Sequence, residues 1–408
     1  MPPPFALQPA ATLSSSGFFK SMRILHIIGS ISPEAGGTTE AVRMLIRYTP
    51  PGYTNEIATL DEPTAPYLGA LSVPVHALGT GGWYSAKLVS WLKANRDRFD
   101  GVMVHGLWGY NSVAARRAFS GHKPYVVFAH GMLDPYFKRA FPAKHLKKWV
   151  YWLFVEFWVL RSAFRVLFTT AVERDLARQS FWLSQWKPMV VALGAEPPPY
   201  APGSSLPAFF EICPEVKGHR FLLFLGRIDR KKGCDLLIDA FAALRDRDPD
   251  LHLVMAGPDA SNWGLDLQAA AARGGIADRV HWPGMLTGEA KWGALEGCEA
   301  FILPSHQENF GIAVAEALAC GRPVLLSNQI NIAPDVAADG CALVEPDTPE
   351  GTQNLLTRWF ELSPPEREAM STQASRTFAG RYDMRRNAEI ILRVFEQSPQ
   401  SQDRRENR

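Results

Sequence analysis

Two glutamates, Glu308 and Glu316, flank an Asn-Phe-Gly turn in the stretch "SHQENFGIAVAEALACGRPVLLSN" at 305–328. From Gly311 onward the segment reads as a helix that ends at Gly321, with Pro323 beyond it as a stop. Glu308, just ahead of that helix, can accept hydrogen bonds from ligand hydroxyls. The open N–H groups of Asn309, Phe310 and Gly311 can bind an anion or a sugar oxygen. Glu316 lies among Ala and Val, where a carboxylate must find a partner. A ribose diol would supply two donors, and a structural salt bridge is the competing account. For Glu308 the competing account is an acid placed at a helix dipole.

A second constellation is "FLGRIDRKKGCDLL" at 224–237. A strand ends in Gly226, and Arg227 and Lys232 sit around a short loop that opens a helix. Two cations beside a helix N-terminus suit a diphosphate, whereas a solvated basic loop would also explain Arg230 and Lys231. His105 and His130 each follow an expected strand and precede a glycine, so both are candidates to face a cleft. Gly36 and Gly37 permit close backbone approach by a ligand, although the full GxGxxG pattern is missing.

These residues need a frame that gathers them. "RILHIIGSI" is a continuous apolar run, as expected of a strand buried on both faces. "GVMVHGLWG", "YVVFAHGML" and "RVLFTTAVERDLAR" continue a strand–helix alternation through the first half. "EPPPYAPGSSLP" at 196–207 supports neither a helix nor a central strand. Beyond it come "RFLLFLGRI", "LHLVMAGPD", "RVHWPGML", "AFILPS" and "PVLLSN", with helices expected near 264–274, 288–298 and 311–320. Such alternation predicts an α/β chain of two Rossmann-like parallel-sheet domains facing a central cleft. The expected boundaries are 22–195 and 204–380, with a linker at 196–203. Residues 1–21 read as a disordered tail without the layout of a signal peptide, and "SPQSQDRRENR" reads as a polar tail.

A net charge of +2 over 408 residues, with no domain dense in Lys and Arg, argues against a nucleic-acid binder. Five scattered cysteines without CxxC spacing suit a reducing, cytoplasmic setting and give no metal motif. No segment has the length and apolarity of a membrane span.

"GRIDRKKG" followed by "SHQENFGIAVAEALACGRPV", with "VVFAHGML" and "RVHWPGML" in order, resembles glycosyltransferase family 4 from Met22 onward. The resemblance implies a retaining enzyme of GT-B architecture that uses a nucleotide sugar, UDP- or GDP-linked, and needs neither a metal nor a permanent cofactor. It implies that Arg227 and Lys232 hold the donor diphosphate, that Glu308 and the main chain at Asn309, Phe310 and Gly311 bind the transferred sugar, and that Glu316 binds the ribose. Gly37 would let the first loop close, His130 would lie near the reacting sugar, and the chain at Gly284-Met285 would meet the base. His105 and Gly36 remain candidates on the acceptor side. The helix at about 384–397 is expected to cross back onto the first domain. "HGMLDP" is similar to members that assemble bacterial surface polysaccharide. Where many members carry a Pro-Glu step, this chain has Asn331 and Pro334-Asp335. A nucleotide-sugar epimerase on the same fold and a binding module without turnover are the rival readings.

"KHLKKWVYWLFVEFWVLRSAF" at 144–164 joins a basic head to Trp149, Tyr151, Trp152, Phe154, Phe157 and Trp158, with Glu156 interrupting the aromatic face. It fits an interfacial helix on the inner-membrane surface serving a lipid-linked acceptor. A helix packed into the first domain, or an oligomer contact, fits the same pattern.

Overall fold

The computed structural model describes residues 21–397 apart from 81 and 141. The two expected tails lie outside the described residues, save Ser21. Seven strands form the first sheet: β1 (Met22–Ile28), β2 (Tyr53–Thr59), β3 (Val75–Ala77), β4 (Gly101–His105), β5 (Tyr125–Phe128), β6 (Arg165–Phe168) and β7 (Pro188–Val190). Six form the second: β8 (Arg220–Leu225), β9 (Leu251–Ala256), β10 (Val280–Gly284), β11 (Ala300–Leu303), β12 (Val324–Ser327) and β13 (Ala342–Glu345).

Every pairing is parallel, in the orders β3-β2-β1-β4-β5-β6-β7 and β10-β9-β8-β11-β12-β13. Each sheet therefore reverses its winding beside its first strand, which leaves a crevice at the strands' C-terminal ends. The alternation of side chains explains the apolar runs. Ile24, Met103, Val126 and Phe128 enter one core, while Leu25, Ile27, Val102, Val104 and Val127 enter another on the opposite face. The expected helices of the second half appear at Gly264–Arg273, Gly288–Gly297 and Ile312–Ala319.

Residues 196–205 form no helix or strand. The C-terminal segment returns beside this crossing: Ala195 N–H donates to Tyr382 O at 2.9 Å, and Met384 N–H to Ala195 O at 3.1 Å. The helix Met384–Leu392 then lies against Gly37–Arg47 of the first half. Beyond it, Phe395 covers Gly101, where a Cβ would fall 2.4 Å from the ring.

The aromatic segment is divided by a π-helical turn. Pro142–Tyr151 is α-helical, Trp152–Glu156 is the wide turn, and Phe157–Ser162 resumes the α-helix. Trp152, Phe157, Val159 and Leu160 are buried in the first domain, while Leu146, Val150, Leu153, Phe154 and Trp158 are exposed. The segment is thus core on one side and apolar surface on the other. Glu156 does not interrupt the aromatic face: the turn points it inward, where Ser112 Oγ donates to its Oε2 at 3.3 Å and Oε1 has no partner among the described residues.

Burial raises the Glu156 carboxyl from 4.5 to about 8, against smaller opposing pulls from Ser112, Trp108 and Lys148. Between those values the unfolded chain releases a proton that the folded chain keeps, so stability falls as pH rises through that window and levels off above it. Urea unfolding should show this decline from about pH 4.5 to about 8, and Glu156→Gln should flatten it. An equal slope in the variant would place the titration elsewhere.

Candidate active site

A cavity of about 500 Å³ lies between the two sheets. The first domain contributes Gly36, Gly37, His130 and Thr169, and the second contributes Arg227, Lys231, Lys232, Glu308, Asn309, Phe310 and Gly311. Residues far apart in sequence meet there because parallel strands deliver their following loops to one edge. Arg227 follows β8, and a short 3-10 turn, Arg230–Lys232, opens the helix Cys234–Ala243. Asp229 caps that turn, its side chain accepting from Lys231 N–H at 2.9 Å. The Arg227 guanidinium is exposed and has no ion pair among the described residues. The Lys232 ammonium pairs with the Glu308 carboxylate. Burial lowers Lys231, with Glu308 pulling it back.

Glu308 is fixed by its own backbone. Its N–H donates to Gln329 O, and its carbonyl accepts from Asn331 N–H, both at 3.1 Å. Asn331 is also the position that departs from the expected Pro-Glu step, and its Nδ2 donates to Asn309 Oδ1 at 3.2 Å. Gly311, in the left-handed region at φ 78, starts the helix Ile312–Ala319, and Val314 is the first to donate back, to Gly311 O at 2.9 Å. The preceding N–H groups sit at the positive end of the helix dipole, beside the cations.

Three expected site residues stand apart from this group. Glu316 does not line the cavity; it is buried, and its Oε1 accepts from Lys291 Nζ at 2.8 Å. Burial raises its carboxyl and Lys291 opposes the shift. His105 is buried behind His130, the two rings hydrogen-bonded at 3.0 Å. Met285 is exposed and lines a neighbouring cavity of about 340 Å³ with Ile228, Gly257 and Gly284.

Sequence reading missed the residue that holds the His130 loop. Glu173 Oε1 accepts from Gly131 N–H at 2.6 Å, while Oε2 accepts from Thr169 N–H at 2.6 Å and Thr169 Oγ1 at 2.7 Å. Burial raises this carboxyl, and those bonds pull it down. The signal was present in Thr170-Ala-Val-Glu173, since Thr170 caps the helix Ala171–Ser180 and Glu173 occupies the box position. Its side chain reaches across to the next loop instead of back to the cap. Also missed were two polar ties across the cleft: Gln307 Nε2 to Asp134 Oδ2 at 2.8 Å, and Asn309 Nδ2 to Thr169 Oγ1 at 3.3 Å. Gly131, at φ 75, tolerates no side chain here, because a Cβ would stand 2.7 Å from Asn309 Cβ.

Among the described residues, the one trio with metal-ligand proximity is Cys213, Glu215 and His281, whose ligand atoms lie within 4.8 Å of one another. None of the three lines the cleft.

Two parallel-sheet lobes with cations and a helix N-terminus at their shared crevice define the GT-B class. Comparison with known proteins agrees. The model described as glycosyl transferase 4-like domain matches residues 36–194, and that described as glycosyl transferases group 1 matches 207–377. The chain belongs to the GT-B glycosyltransferases of the family 4 type. It is 31% identical to a D-inositol 3-phosphate glycosyltransferase of Segniliparus rotundus, over 57% of this chain and 51% of that protein. The chain therefore spans about half the length of that relative. It is 28% identical to a GDP-mannose:cellobiosyl-diphosphopolyprenol alpha-mannosyltransferase of Xanthomonas oryzae, over 75% of this chain and 79% of that one. The fold is shared with Anabaena HepE, solved with UDP and glucose, at a TM-score of 0.71, 17% identity, and coverage of 92% and 100%.

Glu173→Gln should destabilise the first domain by about 1–3 kcal/mol, because an amide nitrogen would face one of the backbone donors that the carboxylate now satisfies. The urea midpoint at neutral pH measures this. An unchanged midpoint would show that Glu173 does not hold the loop.

Proposed function

We propose that the protein is a retaining, metal-independent glycosyltransferase that moves a sugar from a UDP- or GDP-linked donor to a glycan or lipid-linked acceptor. The observation that carries this reading is the convergence of Arg227, Lys232, Glu308 and the N-terminus of Ile312–Ala319 on one cavity, opposite His130. When the sugar–phosphate bond breaks, negative charge grows on the diphosphate and positive charge on the anomeric carbon. Arg227 and Lys232 are placed to stabilise the first, which is the task a divalent ion performs in other transferases. Glu308 and the main chain at Asn309, Phe310 and Gly311 hold the sugar hydroxyls. An incoming diphosphate shares Lys232 with Glu308, so donor binding loosens that pair and frees the carboxylate for the sugar.

Glu316 sits one turn beyond Ile312 and Ala313, which line the cavity; it keeps one oxygen on Lys291, and its Oε2, on a side chain 12% exposed, takes the ribose diol. The backbone at Met285, in the neighbouring cavity, meets the base. Gly36 and Gly37 let the first loop approach donor and acceptor. Retention follows from front-face attack in which the departing phosphate takes the acceptor's proton, so no nucleophilic side chain is needed. The name of the Xanthomonas relative, with its GDP-mannose donor and polyprenol-linked acceptor, supports a role in bacterial surface polysaccharide synthesis on the cytoplasmic side of the membrane.

The exposed apolar row Leu146, Val150, Leu153, Phe154 and Trp158, with Lys144 and Lys147 on the same segment, supports attachment to an anionic membrane surface. No helix among the described residues is long and apolar enough to cross a membrane.

Release of nucleoside diphosphate should require both donor and acceptor, and Lys232→Ala should lower kcat about 10²- to 10³-fold with the fold intact. Unchanged turnover in that variant would remove the leaving-group role, and epimerisation without acceptor would favour the rival enzyme. On anionic vesicles at low salt the protein should co-float, and Phe154→Asp with Trp158→Ser should weaken binding at least about tenfold. Absence of flotation by the unaltered protein would overturn the membrane reading.

A further inference from the structure

Behind His130 a row of polar side chains crosses the first sheet on a diagonal. Asn55 on β2 is in register with Ile24, and His26 stands two residues past Ile24 on β1. His26 is in register with Met103, and His105 stands two past it on β4. His105 is in register with Phe128, and His130 stands two past that. Two-residue steps keep all four side chains on one face of the sheet. Asn55, His26 and His105 are buried, and His130 lines the cleft.

Adjacent members are hydrogen-bonded. Asn55 Oδ1 to His26 Nε2 is 3.1 Å, His26 Nδ1 to His105 Nε2 is 2.9 Å, and His105 Nδ1 to His130 Nε2 is 3.0 Å. The far end sets the direction of every bond. Thr49 Oγ1 donates to the carbonyls of Ile46 at 2.7 Å and Leu45 at 3.1 Å, so its one proton is committed. It can only accept from Asn55 Nδ2, 2.5 Å away, which leaves Asn55 Oδ1 facing His26. An amide oxygen cannot donate, so His26 Nε2 carries the proton and His26 Nδ1 is the acceptor. His105 must then donate from Nε2 and accept at Nδ1, and His130 must donate from Nε2. Burial keeps all three rings neutral, lowering His26 to about 4, His130 to about 3, and His105 well below its ordinary value.

We propose that Asn55, His26 and His105 are positioning residues that lock His130 as the Nε2–H tautomer and present its unprotonated Nδ1 to the cleft as the acceptor for a sugar hydroxyl. Only the identity of the ligand rests on the glycosyltransferase reading. The row ends at an amide, which takes no proton, so a proton accepted at His130 could move inward only as far as the fully buried His26 and finds no exit there. His130 therefore aims a hydroxyl and is not the base of the reaction, in keeping with a proton that leaves on the departing phosphate.

The test uses the full chain labelled with ¹⁵N-histidine and two-bond ¹H–¹⁵N correlations of the ring nitrogens, with His130 assigned by its loss in His130→Gln. Its Nδ1 should resonate as unprotonated and its Nε2 as N–H. The opposite pattern, or an even mixture, would overturn the proposal. This readout needs no substrate, so it stands or falls separately from sugar transfer. Asn55→Asp loses the donor to Thr49 but keeps an acceptor toward His26; with the Thr49 hydroxyl turned from the carbonyls to the new carboxylate oxygen, it should retain both tautomer and kcat. Asn55→Leu removes it and should give mixed tautomers with kcat lowered about tenfold, while nucleoside diphosphate affinity is unchanged. Equal losses in both variants, or a single tautomer in Asn55→Leu, would also sink the proposal. If Asn55→Leu does not fold, the wild-type spectrum and Asn55→Asp decide it.

Discussion

Parallel strands all end on one side, and the loops after them inherit that placement. The structure rests on this constraint twice, with the two edges turned toward each other. Arg227, Lys231, Lys232 and Glu308 thereby share one small volume with His130 from the other sheet. Gathering like charges in a confined space is unfavourable unless opposite charges answer them. The Lys232–Glu308 pair answers part of that charge before any ligand arrives, whereas the positive start of Ile312–Ala319 adds to it and leaves the crevice with a net positive field.

Close approach of the lobes imposes a second constraint, on backbone and not on charge. Asn309 leaves no room for a side chain at residue 131, so the loop after β5 turns through two left-handed residues, His130 at φ 49 and Gly131 at φ 75. A histidine in that region is strained. Glu173 offsets the strain by tying Gly131 and Thr169 to one carboxylate. The ring of His130 is thus set by three independent supports: backbone conformation, the carboxylate beneath it, and the imidazole behind it.

Much of this was legible in the chain. Gly226, Arg227 and Lys232 at a strand–helix junction, and Glu308 with Gly311 at a helix start, announce themselves because the chemistry is local. Apolar runs bounded by glycine marked β1, β4, β5 and β8 for the same reason. What escaped is non-local or breaks the helical period. Lys291 is in contact with Glu316 only because two helices pack together. Asn55 reaches His26 through strand register, which no linear spacing displays. A π-helical turn adds a residue to one coil, so Glu156, read as interrupting an aromatic face, lands inside the domain.

The lobes are joined by two passages of chain lying side by side, at Ala195 and at Tyr382–Met384, bonded to each other. Such a paired seam resists sliding yet permits rotation, as the spine of a book does. At the opposite lip Gln307–Asp134 and Asn309–Thr169 bridge the lobes by side-chain hydrogen bonds, and the Lys231 ammonium lies over the Tyr136 ring at 5.8 Å. Two such bonds contribute about 1–3 kcal/mol together, little enough for thermal motion to part them. Travel grows with distance from the seam, so the lip at Asp134 and Gln307 sweeps furthest while the cores beside Ala195 scarcely shift.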